Sequence, residues 1–417
     1  MRRPTRPWLF GVINVPYGTC SSGIVTTVLP FLLRARGVSV ETISSVVAVA
    51  VVPTIWYFVW APLVDVKWRR RTWLVASAIV SAACMVAALM LPLPGALRAI
   101  TVLVVGGIAI NQLVGAAVGG LVADTVPNHW RGAAAGWTQA ANLGGGVVAG
   151  GLLVWLSARS PTAFVAMVAG LLIVLPSLPV LSVDEPPPAG RGAREHFGLM
   201  LRDLRITIRS PRVWLGFAWF LSPVGAGALM NLFSAIAVDY HASSTAVALG
   251  IGVFSGLVTA VGALVGGFAC DRFDRWLVYP VAGLLSAVCA GGMTVAPLTP
   301  TVYVVGASAY SFASGFGYAT FSALAFDLLG DGGAAAGTRS ALFVSAANVP
   351  LAYMTWVDGV GHSRFGVRGL LAFDSISNAS SSVMLMVFLV WLRQSKASIC
   401  SADRAVAAST RCRAANA

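Results

Sequence analysis

The sequence predicts an all-α membrane protein with twelve transmembrane helices, arranged as two six-helix pseudo-repeats. Three observations predict this fold class: the composition is apolar, charge-free stretches recur along the chain, and the two halves resemble each other. Of the 417 residues, 57% are hydrophobic and only 10% are charged, whereas soluble domains carry about 25% charged residues. This composition excludes a disordered chain and argues against a soluble enzyme.

Long apolar stretches account for most of the chain. A bilayer core of about 30 Å is crossed by roughly 20 apolar residues in an α-helix, and these runs are too long and too uniformly apolar for β-barrel strands. The charge-free stretch Trp276–Phe326 has room for two spans, with Pro297 and Pro300 marking the turn between them. Twelve spans are predicted, at 8–33, 42–64, 72–93, 99–124, 132–157, 162–183, 213–239, 246–270, 277–297, 301–328, 334–357 and 370–392.

The first span follows Arg2, Arg3 and Arg6 and could be mistaken for a secretory signal peptide. Its apolar run is longer than a signal sequence needs, it contains Pro16, and no small-residue cleavage site precedes a soluble domain. We therefore expect an uncleaved first span.

The distribution of basic residues predicts the orientation, because cytoplasmic loops carry an excess of Lys and Arg. With a cytoplasmic N-terminus, the outer segments hold few of the 28 basic residues, namely Arg34, Arg36, Arg98, Arg159, Arg364 and Arg368. This bias requires an even number of spans and predicts that both termini are cytoplasmic. The net charge of +13 is then a topology signal that also attracts membrane lipids, and no nucleic-acid partner is predicted.

The longest polar segment inside the chain runs from Asp184 to Arg212 and begins with two acids and three prolines. Its basic, amphipathic remainder is typical of a cytoplasmic linker with a helix lying on the membrane surface. We therefore expect an N-terminal six-helix bundle at 1–183, a linker at 184–212, a C-terminal six-helix bundle at 213–392 and a cytoplasmic tail at 393–417.

An internal repeat relates the two halves. Matches occur in the same order at offsets near half the chain length: Phe10, Pro16 and Gly18 with Phe217, Pro223 and Gly225; Asp65 with Asp271; Ser81 and Cys84 with Ser286 and Cys289; Asp124 with Asp327; Gly132 with Gly333; and Asn142 with Asn348. Parallel six-span repeats with a binding site between them at mid-membrane are typical of secondary transporters.

Two loop motifs carry a family resemblance. Ala61, Asp65 and the run Arg69–Arg71 resemble the signature between the second and third helices of the major facilitator superfamily. A second-half copy is formed by Gly267, Asp271, Arg272 and Arg275. The resemblance extends over nearly the whole chain and implies transport by alternating access.

Two further stretches resemble one branch of that superfamily. Phe58–Asp65 with Trp68–Arg71, and Phe365–Leu371 with Asp374, are similar to AmpG-like muropeptide permeases and acetyl-CoA transporters, to which some bacterial siderophore permeases are related. This resemblance implies proton-coupled import of a muropeptide-like or siderophore-like compound across the bacterial inner membrane. The alternatives are a drug or metabolite efflux permease and a non-transporting sensor on a transporter fold.

The resemblance also implies that the loop residues gate the cytoplasmic side. A small residue at 61 or 267 lets two helices approach closely, and the arginines can pair with Asp65 and with lipid phosphates; topology and anchoring alone are the alternative. Asp239, Asp358 and Asp374 are all predicted near span ends, with Asp239 in a solvated outer loop. The predicted gating and coupling residues are Asp65, Arg69, Arg70, Arg71, Asp124, Asp271, Arg272, Asp327 and, as a protonation site, Asp374.

Uncharged polar residues are the predicted substrate ligands, because an amide in hydrocarbon is unfavourable unless it has a partner. Interhelical hydrogen bonds are the alternative explanation for each of them. Together they predict a neutral cavity with aromatic walls, suited to a sugar-containing, heteroaromatic or amphiphilic solute. They are Asn14, Tyr17, Asn111, Gln112, Gln139, Asn142, Asn231, Tyr310, Tyr318 and Asn348.

Enzymatic activity is not predicted. The four histidines, His129, His196, His241 and His362, are scattered over predicted loops, and no metalloprotease or serine-hydrolase motif is present. We expect no cofactor and no metal site. The expected partners are a small organic solute, protons by analogy, and membrane lipids, with the chain acting as a monomer.

Overall fold

The structure is a computed structural model that describes residues 6–60, 63–64, 68–92, 95–127, 134, 137–138, 140–185, 198, 201–202, 205, 208–209, 211–329 and 336–415. Within these residues every regular element is helical. The helices follow the predicted order of spans, six in each half, which confirms the predicted fold class.

The first half contains spans that we label α1 to α6. Three of them combine an α-helix with a π-helical or 3₁₀ segment. The α-helical residues of these three spans are therefore fewer than the residues in the whole span. Their bounds are α1 Pro7–Gly18, Thr19–Val28 and Leu29–Ala35; α2 Val40–Ile55 and Tyr57–Trp60; α3 Arg70–Met90; α4 Leu97–Thr125; α5 Ala140–Gly145 and Gly146–Ser157; and α6 Thr162–Val174 and Leu175–Ser182.

The second half contains spans α7 to α12. The last two form one continuous helical stretch that is divided by non-helical backbone at Gly366 (φ 67°, ψ −161°). Their bounds are α7 Pro211–Phe220, Ala228–Asn231, Phe233–Ile236 and Ala237–Tyr240; α8 Ser244–Val247, Ala248–Phe254 and Ser255–Arg272; α9 Arg275–Val295; α10 Pro300–Leu329; and α11 with α12 Ala336–Ala415.

By length and composition alone, seven stretches of the described chain could cross a membrane. The longest, Ala341–Gln394, has 54 residues and includes the bend at Gly366, so it accommodates two spans. In α8 the long apolar helix is only Ser255–Cys270, and α7 is interrupted between Phe220 and Ala228. Interrupted backbone at membrane depth is tolerated where it is buried in protein or lines a cavity.

The predicted ends of α11 and α12 were wrong. Predicted spans at 334–357 and 370–392 leave 358–369 as a loop, but the helix continues through this segment except at Gly366. The segment is rich in glycine and polar residues, which favoured a loop. Instead, Gly361 and Gly369 let the two helices touch, since a Cβ on Gly361 would lie 2.9 Å from the carbonyl oxygen of Gly369.

Large apolar side chains cover the outside of the bundle. Val295 is 84% exposed, Leu264 75% and Val102 71%. Apolar exposure on this scale is rare on soluble monomers and fits a surface in contact with lipid.

We call the end of the bundle that carries Arg34 and Asp239 the outer end and the opposite end the inner end. One apolar core fills the first half and continues into Leu229–Tyr240 of α7, Tyr303 and Leu370, at the outer end of the second half. The inner part of the second half has a separate core around Trp219, Phe220 and Phe343. The two halves therefore share a core at the outer end, while the core around Trp219, Phe220 and Phe343 is formed by residues of the second half.

Candidate substrate cavity

A cavity of about 260 Å³ lies between the two halves, near the middle of the spans. No charged residue lines it among the residues that the structure describes. Hydroxyl and amide groups alternate with apolar and aromatic side chains along its wall. Its polar and aromatic lining includes Tyr17, Ser22, Thr54, Asn142, Phe220, Asn231, Thr259, Tyr318 and Asn348.

Both halves contribute predicted ligands to this cavity. Tyr17 and Asn142 come from the first half, whereas Asn231, Tyr318 and Asn348 come from the second. Asn348 also connects the halves, because its Nδ2 donates a hydrogen bond to the carbonyl oxygen of Thr54 at 3.2 Å. A solute in the cavity would therefore contact both halves at once.

Other predicted ligands lie within helix packing instead. Asn14, 6% exposed, donates to the carbonyl oxygen of Thr138 at 2.9 Å. Asn111 donates to the carbonyl oxygen of Tyr17 at 3.1 Å, and Gln112 accepts from the Tyr17 hydroxyl at 3.2 Å. These two amides fix Tyr17 at the cavity wall.

Two further predicted ligands lie elsewhere. Tyr310 is fully buried and donates its hydroxyl to Asp374 at 3.1 Å, so it faces the interior of the second half. Gln139 lies outside the described residues.

The interruption of α7 supplies wall residues that no sequence pattern indicated. A continuous helix was predicted at 213–239, but the backbone leaves the helix after Phe220, and Gly225 and Gly227 adopt left-handed conformations with φ of 64° and 70°. Both glycines line the cavity. The amide of Gly225 donates to Oδ1 of Asn378 at 3.1 Å, which anchors the interruption to α12.

On the opposite wall, α1 changes to a π-helix between Thr19 and Val28. Such widened turns leave backbone groups with displaced partners and are frequent at functional sites. Ser21, Ser22 and Thr26 of this segment line the cavity. The repeated Pro–Gly pair of α1 and α7 thus has two outcomes, a π-helix in one half and a break in the other.

Contacts at the outer end join the two halves. Arg34 of α1 donates to Asp239 of α7 at 3.1 Å, and His362 Nε2 of α11 lies 3.3 Å from the other oxygen of Asp239. Arg159 donates to the hydroxyl of Thr245 at 3.3 Å. Asp239, predicted in a solvated loop, is therefore the centre of a cross-half cluster.

The electrostatics of this cluster favour the charged form of Asp239. Partial burial opposes ionisation, but the hydrogen bond with His362 and the positive charge of Arg34 outweigh it and lower the pKa of Asp239 below 3.8. The ion pair with Arg34 is therefore retained over the physiological pH range.

At the inner end the described ion pairs join residues of the same half. Arg70 pairs with Asp124 and donates to the carbonyl oxygen of Gly120 at 2.8 Å. Glu185 accepts from the backbone amides of Arg70 and Arg71 at 2.7 and 3.2 Å. The start of the linker therefore caps the N-terminus of α3, where a negative charge is favourable.

The remaining predicted gating residues are placed as follows. Arg69 is exposed, and the guanidinium of Arg272 lies 4.7 Å from the ring centroid of Phe268. Asp65 and the side chains of Asp271 and Asp327 lie outside the described residues. Asp374, predicted near a span end, is fully buried together with Asp358.

Comparison with known proteins identifies the architecture. The chain resembles the crystal structure of a D-xylose-proton symporter, with a TM-score of 0.68, 13% identity and coverage of 91% of this chain and 95% of that chain. It also resembles a bacterial homologue of the human lysosomal transporter Spinster in an inward-facing, unoccupied conformation, with a TM-score of 0.63, 17% identity and coverage of 92% and 94%. A mutant of the nucleoside transporter NupG gives a TM-score of 0.67, 12% identity and coverage of 91% and 99%.

At these identities the structures show a common fold only. The family model of the Major Facilitator Superfamily matches residues 17–355, which is most of the chain. This match includes the cavity, the interrupted α7 and the ion pairs at both ends of the first half. The chain is thus a multi-pass secondary transporter and belongs to the major facilitator superfamily.

Proposed function

We propose that this transporter imports an uncharged or amphiphilic organic solute, of the muropeptide-like or siderophore-like class, together with protons across the bacterial inner membrane. The observation that carries the proposal is the neutral, hydrogen-bonding cavity formed by both halves. Tyr17, Asn142, Asn231, Tyr318 and Asn348 are the proposed solute ligands. Hydroxyl and amide groups beside aromatic rings suit a sugar-containing or heteroaromatic solute better than a small anion.

Alternating access follows from the distribution of contacts. The halves share a core and the Arg34–Asp239 ion pair at the outer end. A solute that contacts both walls binds the closed and the open arrangement with different free energies. It can therefore shift the equilibrium between these two arrangements. In this proposal the solute enters from the outer side, the outer contacts re-form, and release occurs at the inner end.

We assign the inner gate to the loop residues of both halves. The ion pair between Arg70 and Asp124 connects the start of α3, next to the loop between α2 and α3, to the end of α4. The proposed gate also includes Asp65, Arg69, Arg71, Asp271, Arg272 and Asp327. Both termini and the linker at 184–212 are placed in the cytoplasm, between bundles at 1–183 and 213–392. The chain acts as a monomer in this proposal, since each copy has its own cavity between its halves.

Efflux of a lipophilic drug or metabolite is the second candidate. Phe220, Phe233, Phe321 and Tyr318 give the cavity an aromatic wall, which would also accept an apolar aromatic compound. The direction of net flux separates the two functions, and a sensor would bind its ligand without any flux.

Binding is tested first with the purified transporter in detergent. The panel contains anhydro-muropeptides, ferric and metal-free siderophores, acetyl-CoA and lipophilic drugs, and the readout is the thermal unfolding temperature. A ligand at 100 times its dissociation constant adds about 2.7 kcal/mol to stability. Uptake of each stabilising compound into proteoliposomes, with and without a pH gradient, then measures direction and coupling.

Variants of the wall identify the site. Loss of one hydrogen bond costs about 1 kcal/mol, so Tyr318→Phe and Asn348→Ala should each weaken binding roughly five- to tenfold while the protein remains folded. Ser380→Ala, at an exposed serine of α12 that bonds only within its own helix, is the matched control. Unchanged affinity in both wall variants would remove the cavity from the proposal.

A further inference from the structure

We propose that Asp358 and Asp374 form a shared proton-binding site between α11 and α12, and that its protonation state acts on the interrupted part of α7 that lines the cavity. Proton binding by this pair does not depend on the solute. Its role in coupling rests on the proposed function.

Both carboxyl groups lack the partners that a charged form requires. Asp358 and Asp374 are each 0% exposed. Neither oxygen of Asp358, nor Oδ2 of Asp374, has a hydrogen-bond partner among the described residues. An ionised carboxylate in such an environment is so unfavourable that the group takes up a proton instead.

The hairpin brings the two groups together. Each lies eight residues from Gly366, one on each arm, and the contact between Gly361 and Gly369 holds the arms together. The negative charge of Asp374 acts on Asp358. Two neighbouring carboxyl groups in an apolar interior cannot both be ionised, because their negative charges would repel each other. The pair therefore holds at least one proton.

Among the residues that the structure describes, Tyr310 of α10 contacts the pair through its hydrogen bond to Asp374. Arg34 and Asp239 form an ion pair at the outer end, and His362, which lies 3.3 Å from Asp239, is one helical turn beyond Asp358 on α11. Other titratable groups on the described surrounding elements are Glu41 and Tyr57 on α2, Asp239 and Tyr240 on α7, Arg275, Tyr279 and Cys289 on α9, Tyr303 and Tyr318 on α10, and Tyr353, Arg364 and Arg368 on α11 and α12.

Asp374 is connected to the cavity through Asn378. The Nδ2 of Asn378 donates to the carbonyl oxygen of Asp374 at 3.1 Å, and its Oδ1 accepts from the amide of Gly225 at 3.1 Å. Gly225 belongs to the interruption of α7 and lines the cavity. A shift of α12 at Asp374 therefore moves the first part of the interruption.

Asp358 is connected to the other side of the same interruption. Thr355, nearly one turn before Asp358 on α11, accepts a hydrogen bond from Asn231 at 2.8 Å. Asn231 follows Gly227 and lines the cavity. The two carboxyl-bearing helices thus hold both sides of the non-helical backbone, and a change in their separation alters the cavity wall.

The proton step requires no other reactant. One O–H bond forms at the oxygen of the remaining carboxylate, and the single negative charge of the pair is neutralised. The interaction between α11 and α12 then changes from that of a carboxylate with a carboxylic acid to that of two neutral acids. Deprotonation to water reverses both changes. A metal ion would require further ligands, but the described residues contain no group of three or more His, Cys, Asp or Glu side chains that could hold one.

The first test measures proton binding without any solute. Infrared spectra of the transporter in proteoliposomes, recorded over a pH series, report the carbonyl band of protonated carboxyl groups. We expect a buried, pH-dependent band that is lost in the double variant Asp358→Asn, Asp374→Asn. Asp184→Asn, at an exposed residue of the linker, is the control. A band that persists unchanged in the double variant overturns the proposal.

Tyr310→Phe provides a variant that leaves both acids in place. It removes only the hydrogen bond to Asp374, so the band should remain while its midpoint shifts along the pH axis. A midpoint equal to that of the wild type would show that the titrating group lies elsewhere.

The second test measures transmission to α7. Hydrogen exchange of the segment 221–232, corrected for the intrinsic pH dependence of exchange, should follow the same midpoint as the infrared band. This dependence should disappear in the double variant, while residues 70–90 of α3 serve as an internal reference. Proton binding without a pH-dependent change in 221–232 would overturn the coupling role. Because neither test uses a solute, their outcome is distinct from failure of the transport proposal.

Discussion

Asp239 connects three spans at the outer end of the molecule. Its carboxylate accepts from Arg34 at 3.1 Å and lies 3.3 Å from His362 Nε2. Because these residues belong to α1, α7 and α11, the ionised carboxylate stabilises the contact between the halves. The stabilisation is modest, since a partly exposed ion pair contributes about 1 kcal/mol or less.

The pH dependence of this contribution follows from the lowered pKa of Asp239. The contribution is fully present above the ordinary value of 3.8 and is lost as pH falls through the lower folded value. We therefore expect Asp239→Asn to lower the unfolding temperature by about 1–2 °C at pH 5–7, and the difference from wild type to shrink below about pH 4. The measurement is thermal unfolding in detergent across this pH range.

Asp184→Asn should show no comparable difference at any pH, because Asp184 is exposed and far from this cluster in sequence. A difference between wild type and Asp239→Asn that stays constant down to pH 3 would contradict the assignment of the ion pair to Asp239.

At the residue scale the sequence identified polar groups in spans but could not separate two uses of them. Asn231 and Asn348 line the cavity while each bonds within the protein, whereas Asn14 and Asn111 bond to backbone within helix packing and do not line it. Each use satisfies the same requirement, since any amide in an apolar interior needs a partner. Distinguishing them requires the three-dimensional position of the partner.

At the scale of the helix, close backbone approach fixes how α1 packs on α5. A Cβ on Gly18 would lie 2.6 Å from the carbonyl oxygens of both Ala141 and Asn142. Backbone atoms cannot rotate away from such an overlap. The α1–α5 contact therefore depends on glycine at this position, as is general for small-residue interfaces between membrane helices.

We expect Gly18→Ala to destabilise the protein by about 1–3 kcal/mol, the range for overpacking of a tight site. Gly106→Ala is the matched control, because a Cβ on Gly106 meets nothing within 4 Å and alanine is the better helix former. Thermal unfolding of both variants in the same detergent tests this. Equal stability of the two variants would contradict the close contact.

The spans themselves were predictable because bilayer thickness sets their length. Their interruptions were not. Pro16 and Gly18 repeat as Pro223 and Gly225, yet α1 continues as a π-helix and α7 breaks. The difference depends on tertiary partners: Asn378 receives the amide of Gly225, and Asn378 lies 153 residues further along the chain.

At the scale of the whole molecule, the outer end is held by packing as well as by charge. The apolar core of the first half includes the outer part of α7, and α2 packs against α11 where Gly359 faces Ser44. In contrast, each described ion pair at the inner end joins two residues of the same half: Arg70 with Asp124 in the first half, and Arg393 with Asp274 in the second. Separation of the halves at the outer end must therefore break both the shared core and the α2–α11 contact.

Gly359 offers a way to force that separation. A Cβ at this position would overlap the side chain of Ser44 and approach the Cα of Glu41 to 3.5 Å. We expect Gly359→Leu to push α2 away from α11 and to favour the outward-open arrangement. Outer-end accessibility is measured by the labelling rate of a single cysteine introduced at Ser234, in a background without the native cysteines. Ser234 is 1% exposed and bonds across the halves to the carbonyl oxygen of Thr26, so its labelling rate should rise at least tenfold.

Gly292→Leu is the control, because a Cβ on Gly292 meets nothing within 4 Å. Its labelling rate should equal that of the parent protein. Opening the outer end by tenfold in accessibility corresponds to about 1.4 kcal/mol, well within what an unavoidable overlap in a packed interface supplies. If Gly359→Leu remains folded and its outer end labels at the parental rate, the α2–α11 contact does not hold the halves closed, and the closed state must depend on the shared core and the Asp239 cluster.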